Sequence, residues 1–517
     1  MCRIISIIFF IAWFPFVSYS QKWINKYYLN NNPSSVSDIT WAVEAYDKGF
    51  YIAADDLGTY NIRIYKTDVN GNVLWERILG NNIQGSFLGG IATTADGGLV
   101  ISGNVYKTDT SSTSDIFLIK LNVCGSIDWS EIYALNQNCF PGPVAVLKNG
   151  DFIVESEVNI SKDSTPNYYN SWTFCADSQG KVKWSNFDNL FSFVMTLDKN
   201  DNILTTGHVY RDGLNVFSGL DKTDSSGVRL WQTFYGLSEH FSSLGVASVG
   251  TNGDGYFSAA TKADTVFNLL LIKYDEKGGP QWQKSIGDTS MDECPINMIE
   301  MDDSTFLMSA ISGAYSLHTH PYSENLKLLK ITSEGQVLKK FVYPNSGIDM
   351  YFWSIKPTSD GKFIIAGQQQ TNNWDSIVVL KINKNLELDS FYTNDKNKYD
   401  YLCSHKIILL DTIKLSTDTM LVTISFPLDI PIAIKPGSFT IYPNPSSGGI
   451  INILCPNANT PTTAMVCDVL DRFISRYNFI SGNMGEAQIN SGLLASGCYT
   501  ITVEQNGKKY VQKLIIE

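Results

Sequence analysis

The sequence is short of charge, of histidine and of catalytic signatures. Only 17% of its 517 residues are charged, and five are histidine. No GxSxG, HExxH or phosphate-loop pattern occurs, so the common hydrolase, zinc-protease and nucleotide signatures are excluded. No CxxC or vicinal cysteine pair is present, which removes the usual zinc and dithiol motifs. Acidic residues outnumber basic ones 51 to 39, for a net charge of -12. Without a basic face to meet phosphates, nucleic acid is not an expected partner. Beyond Val17 no apolar run approaches the roughly 20 residues of a membrane-spanning helix. The mature chain is therefore expected to have no transmembrane span.

What the chain does have is aromatics (12%), 39 Gly and 26 Tyr. That composition favours strands joined by tight turns, and the length calls for two or more domains. Residues 1–20 read as a secretory signal. Arg3 supplies the positive start, Ile4 to Val17 the apolar core, and Ser18 and Ser20 the small residues before cleavage. Cys2 lies too early for a lipid anchor. Export into an oxidising compartment leaves eight cysteines with 105 pairings, among which the sequence does not choose. Free buried thiols are at least as well supported as disulfides.

Internal repetition is the dominant signal. One half of the unit reads Lys-x4-Gly-x3-Trp, as in Lys66, Gly71, Trp75; Lys120, Gly125, Trp129; Lys222, Gly227, Trp231; and Lys273, Gly278, Trp282. A variant starts at Phe174 (Gly180, Trp184), and two degenerate copies run Lys330, Gly335, Lys339 and Lys381, Leu386, Ser390. The Gly positions 71, 125, 180, 227, 278, 335 and 386 recur every 47 to 57 residues. The other half is an Asp/Asn/Gly turn before an apolar run, starting near Asp47, Asp96, Asn149, Asp201, Gly253, Asp302 and Asp360. The two halves interleave seven times. In the second unit they predict strands over 87–93, 99–104, 116–122 and 126–132, with hairpin turns at Asp96–Gly98 and Val123–Gly125.

Four short strands per unit of about fifty residues predict an all-β, seven-bladed β-propeller over residues 21–394. Trp75, Trp129, Trp184, Trp231 and Trp282 are expected to pack between adjacent blades, each burying on the order of 200 Å². Trp23 stands in a similar motif ahead of the first unit. It is suited to pairing with the final blade, whose own Trp is missing, although a simple lead-in strand is equally consistent.

Residues 395–436 lose the repeat and read as a linker with short strands. The Pro443-Asn444-Pro445 step then marks a domain entrance. Six further strands follow over 450–454, 464–468, 473–479, 487–490, 497–503 and 509–516, which suits a small Ig-like β-sandwich at 437–517. Tyr442, Pro443, Asn444, Pro445 and Gly448, then Gly497 and Tyr499, then Lys513 in the terminal strand, resemble the type A C-terminal sorting domain of Bacteroidetes. The resemblance implies recognition by the type IX secretion machinery after Sec-type export to the periplasm. It further implies a final location that is secreted or at the outer cell surface. Three cysteines in this region, with Cys498 just before Tyr499, depart from that pattern.

Two other resemblances fail on spacing. The Trp turn is similar to that of quinoprotein dehydrogenases, but Asp68 to Gly71 is one residue short, and there are seven units with no vicinal cysteines. It is also similar to the sialidase Asp-box, yet its Gly-to-Trp step is one too long. The repeat region moreover holds only Arg63, Arg77, Arg211 and Arg229. His318 and His320 in a polar insertion, and the Asp198–Asn202 turn, read as surface and turn residues rather than metal ligands. No cofactor, metal or catalytic residue is expected. The function implied is a secreted or cell-surface binding protein. Its ligand, an extracellular glycan or protein, would meet insertions such as 107–114, 161–170 and 317–325. A polysaccharide hydrolase or lyase on the same scaffold is the alternative.

Overall fold

The computed structural model describes residues 22–28, 39–56, 60–80, 85–106, 113–135, 137–160, 168–188, 191–211, 214–235, 247–250, 255–263, 267–288, 293–301, 304–312, 325–343, 349–370, 375–392, 403, 408–412, 420–421, 439–442, 450–455, 457, 460–468, 472–481, 486–490 and 494–516. These form β-strands and turns only, and no helix among them is long and apolar enough to cross a membrane. The expected signal at 1–20, most of the three insertions 107–114, 161–170 and 317–325 (residues 107–112, 161–167 and 317–324), and His318 and His320 lie outside them, as do Pro443, Asn444, Pro445 and Gly448.

The repeat folds as seven units of four antiparallel strands. The first comprises Thr40–Glu44, Phe50–Asp56, Asn61–Thr67 and Val73–Gly80. In the second, the strands span Ser86–Thr93, Leu99–Tyr106, Ser114–Leu121 and Ile127–Ala134, within two or three residues of the sequence expectation. The third and fourth units flank the cleft described below. The third holds Val144–Val146, Phe152–Ile160, Tyr168–Ala176 and Val182–Asp188. The fourth holds Phe191–Leu197, Ile203–Arg211, Leu214–Thr223 and Arg229–Tyr235. The short strand Asn138–Phe140 joins the second and third units into one ten-stranded sheet.

The final unit supplies only three strands of its own, Asp349–Pro357, Phe363–Gln370 and Asp375–Ile382. Its fourth is Ile24–Tyr28, antiparallel to 375–382. Trp23 is fully buried and its indole donates to the Val69 carbonyl of the first unit at 2.9 Å. The opening strand of each unit touches that of the next, and the seventh touches the first. Turn chemistry explains the regularity. In the corresponding turns of the first six units the glycine has φ between +75° and +88°, which L side chains rarely adopt. Leu386 takes the same conformation in the last unit, at φ 60°.

The two sequence halves meet in space. Lys66 Nζ reaches both Asp47 carboxylate oxygens at 2.8 Å, and Lys120–Asp96 (2.8 Å), Lys222–Asp198 (3.2 Å) and Lys381–Asp360 (3.0 Å) repeat the pair. In the third unit the register corrects the sequence reading. The residue facing Trp184 is Cys175, not Phe174, as Lys66 faces Trp75. With no lysine in that slot, Lys183 supplies the ammonium to Asp151 at 2.6 Å. Burial, then the charge of Asp151, pushes the Cys175 thiol up to about 11.

Residues 395–436 are not simply a spacer. Ile408–Thr412 lies parallel to 73–80 of the first unit, and Met420–Leu421 parallel to 127–134 of the second. Cys403 forms a disulfide with Cys124 in a hairpin turn of the second unit, 279 residues away. The other described cysteines, six in number, are free thiols. Beyond the connector, a three-stranded sheet (440–442, 450–454, 486–490) and a four-stranded sheet (461–468, 473–480, 497–505, 508–516) share a core around Ile451, Val466 and Ile501.

Candidate functional site

Each of the first five units meets the next through the same contact. The indole of one unit covers the positive-φ glycine of the following turn: Trp75 over Gly125, Trp129 over Gly180, Trp184 over Gly227, Trp231 over Gly278 and Trp282 over Gly335. A Cβ on any of these glycines would come within 3 Å of the ring it meets. Trp129, Trp184 and Trp231 donate their Nε1–H to Ser178, Ser225 and Glu276 carbonyls at 3.0–3.1 Å, always two residues before the glycine. Trp75 Nε1 has no acceptor. Four residues after the Trp, Tyr27 and Tyr133 donate to the carbonyls of Gly71 (2.8 Å) and Gly180 (2.6 Å).

The third-to-fourth interface breaks this pattern at three slots. Before the residue facing the Trp, six units place Tyr65, Ile119, Phe174, Ile272, Leu329 and Leu380, all buried. The fourth unit places Asp221 there. Four residues after the Trp, the other units have Tyr27, Leu79, Tyr133, Tyr235, Ile286 and Tyr343, but the third has Asp188. Two after the turn residue, the others have Val73, Ile127, Val182, Pro280, Val337 and Leu388, but the fourth has Arg229. The three exceptions meet. Arg229 Nε binds Asp221 at 3.0 Å and its Nη2 binds Asp188, while Gln232 donates to Asp188 at 3.0 Å. Asn186 takes over the missing tyrosine's bond to the glycine carbonyl, donating to Gly227 at 2.5 Å.

Replacing larger aliphatic and aromatic side chains with carboxylates leaves room. A cleft of about 490 Å³ opens between the two units, lined by Glu155, Asp188, Asp221 and Arg229 with Trp184, Phe187 and a set of hydroxyls. Such a volume is typical of small-ligand sites. Asp221 is buried, and its Oδ1 has no hydrogen-bond partner. Burial, reinforced by the charge of Asp188, raises its carboxyl well above the usual range, and Arg229 acts in the opposite direction. Nearby, burial and then Glu155 push Glu157 up to about 8. No described group of three or more His, Cys, Asp or Glu is arranged to hold a metal ion. Sequence reading missed this site because its signal is a polar residue in an apolar slot, visible only once the seven units are aligned on their turn residues.

In the C-terminal region, Tyr442 ends the strand that pairs with 450–454, opposite Asn452. Gly497 opens the strand 497–505. Tyr499 faces Leu514 and donates to the Ala495 carbonyl at 2.7 Å, and Lys513 faces Thr500. These residues are far in sequence from the cleft and contribute nothing to its lining.

Residues 440–517 match the model of a secretion system C-terminal sorting domain. No curated protein matches the sequence. Among solved structures, the chain is similar to a member of the duf4221 family from Bacteroides vulgatus (10% identity, 72% of this chain and 98% of that one, TM-score 0.35). It is similar also to an α-L-arabinanase from Penicillium chrysogenum complexed with arabinobiose (10% identity, 70% and 98%, TM-score 0.39). An ulvan lyase is a third (7% identity, 56% and 82%, TM-score 0.38). Likeness this remote carries no functional argument. The sorting domain is what bears on function, and it implies export to the cell surface or the extracellular space.

Proposed function

We propose that this is an exported ligand-binding protein of Bacteroidetes: a seven-bladed β-propeller delivered through the type IX secretion system by an Ig-like sorting domain. The observation that carries the export half is the match of residues 440–517 to a secretion sorting domain. Tyr442, Pro443, Asn444, Pro445, Gly448, Gly497, Tyr499 and Lys513 form the recognised motif. A signal peptide at 1–20 provides the first step, into the periplasm. Seven four-stranded units with cyclic contact between their first strands support the propeller reading, with residues 22–28 closing the ring. In that architecture the five recurring tryptophans are the blade-packing residues.

The ligand site is the cleft between the third and fourth blades. An ion cluster whose guanidinium is 43% exposed adds little to stability, and apolar residues serve in its slots in the other units. Its place in slots that are apolar in the other units, beside an open cleft, supports binding. The two carboxyl groups held by Arg229 also favour a second reading, a polysaccharide hydrolase or lyase. Release of reducing or unsaturated ends from polysaccharides would select that reading. The export half is tested by location in a Bacteroidetes host, comparing the full chain with one ending before Gly437. The full chain should reach the surface or medium and the shortened one should stay in the periplasm. Equal arrival of both would remove the sorting role.

A further inference from the structure

We infer that the cleft between the third and fourth units takes an uncharged carbohydrate rather than an acidic one, a reading that rests on the ligand-binding function proposed above. The lining combines the two surfaces such a ligand presents. Ser171, Thr173, Thr205 and Thr223 offer hydroxyls that donate or accept, while Trp184 and Phe187 offer apolar ring surface for the C–H side of a sugar.

Charge excludes the acidic alternatives. Three carboxyl groups, Glu155, Asp188 and Asp221, face one guanidinium, whose Nε and Nη2 are already bonded within the cluster. A uronate or sulfated sugar would meet repulsion, and Arg229, the cation among the described lining residues, is already engaged by two carboxyl groups. Asp221 Oδ1, buried and without a protein partner, provides an acceptor for a ligand hydroxyl, and an unfilled acceptor at such depth is costly to leave empty. Arg229 already supplies the cation that Asp188 and Asp221 hold, so an uncharged ligand suits the site better than an amine. A divalent ion lacks a suitable ligand set among the described residues.

The experiment is calorimetric titration of the full chain with three sets of oligosaccharides. The first is neutral (hexaoses of glucose, mannose, xylose, galactose and arabinose), the second acidic (oligogalacturonate, oligoalginate) and the third amine-bearing (chitosan oligomers). At least one neutral hexaose should bind saturably. Its affinity should fall at least tenfold in Asp221→Leu and in the triple variant Asp188→Leu, Asp221→Leu, Arg229→Val, which restores the apolar slots of the other units. Melting and circular dichroism establish that each variant is folded. Binding confined to the acidic or amine set, and abolished by the triple variant, overturns the uncharged class but leaves the cleft as a ligand site. Neutral binding indifferent to the triple variant moves the site elsewhere and overturns the inference. Absence of any binding removes both the inference and the ligand-binding reading, while the export test stands independently.

Discussion

The first-to-second and third-to-fourth interfaces are built on one register and filled with opposite chemistry. In both, an indole covers a positive-φ glycine, Trp75 on Gly125 and Trp184 on Gly227. Around that contact the first pair buries Tyr51, Leu79, Leu88 and Ile119, and it is crosslinked at Cys124 to the connector. The second pair carries Asp188, Asp221 and Arg229, opens a cleft, and has no described disulfide near it. The backbone frame is therefore separable from what fills it. Turns and indoles fix the spacing of units, and individual slots are then free to take on recognition.

That separation can be broken from either side. The largest effect is expected at the staple: Cys403→Ser should cost about 4 kcal/mol, because the disulfide closes a very long loop. Denaturant unfolding under oxidising conditions measures it, and addition of reductant to the parent should reproduce the loss. Gly125→Val, which forces a β-branched residue to φ +79° and drives its Cβ to 2.8 Å from Trp75, should cost about 3 kcal/mol. The same change at Gly227 should cost as much, since the frame is common to both interfaces; a much smaller loss there would show that the cleft relaxes the frame too.

Charge distinguishes the two regions next. Arg229→Val leaves two carboxyl groups facing each other without their cation and should lower stability by about 1–2 kcal/mol, the guanidinium being 43% exposed. The pH dependence has a defined sign. Glu157 ionises near 4.5 when unfolded and near 8 when folded, so between those values the unfolded chain binds fewer protons. Stability should fall as pH rises across that window, and Asp221 acts in the same sense. Glu157→Gln should flatten the profile measured by melting at pH 5 and pH 8. The smallest effect is opposite in sign. Converting all three charged slots to the apolar residues of the other units should raise stability by about 1 kcal/mol. A loss there would mean that the cluster is structural.

Much of the frame was legible in the sequence. Positive-φ turns need glycine, and apolar runs between them set the strands, so the second unit's strands are read correctly to within three residues. Two kinds of feature were not. A slot of the repeat is identified by hydrogen-bond register, and the single-residue offset in the third unit made Phe174 stand where Cys175 does. Parallel edge additions such as 408–412 have no turn to announce them, and eight cysteines give no pairing without coordinates. The cleft is an intermediate case. Asp188, Asp221 and Arg229 are ordinary residues one at a time and become informative only by comparison with six sister positions.

The position of the disulfide also governs how the chain bears tension. A machine that draws on the C-terminal domain pulls on residues ahead of 440, and the first contacts to yield are the edge pairings of Met420–Leu421 and Ile408–Thr412. Unpeeling stops at Cys403, where the pull passes through a covalent bond into the second unit. The strand junction of the first and last units, where Ile24–Tyr28 pairs with Asp375–Ile382, is thereby taken off the direct line of force. Export by the tail can load the molecule without prising the N-terminal strand from the last unit at their non-covalent pairing.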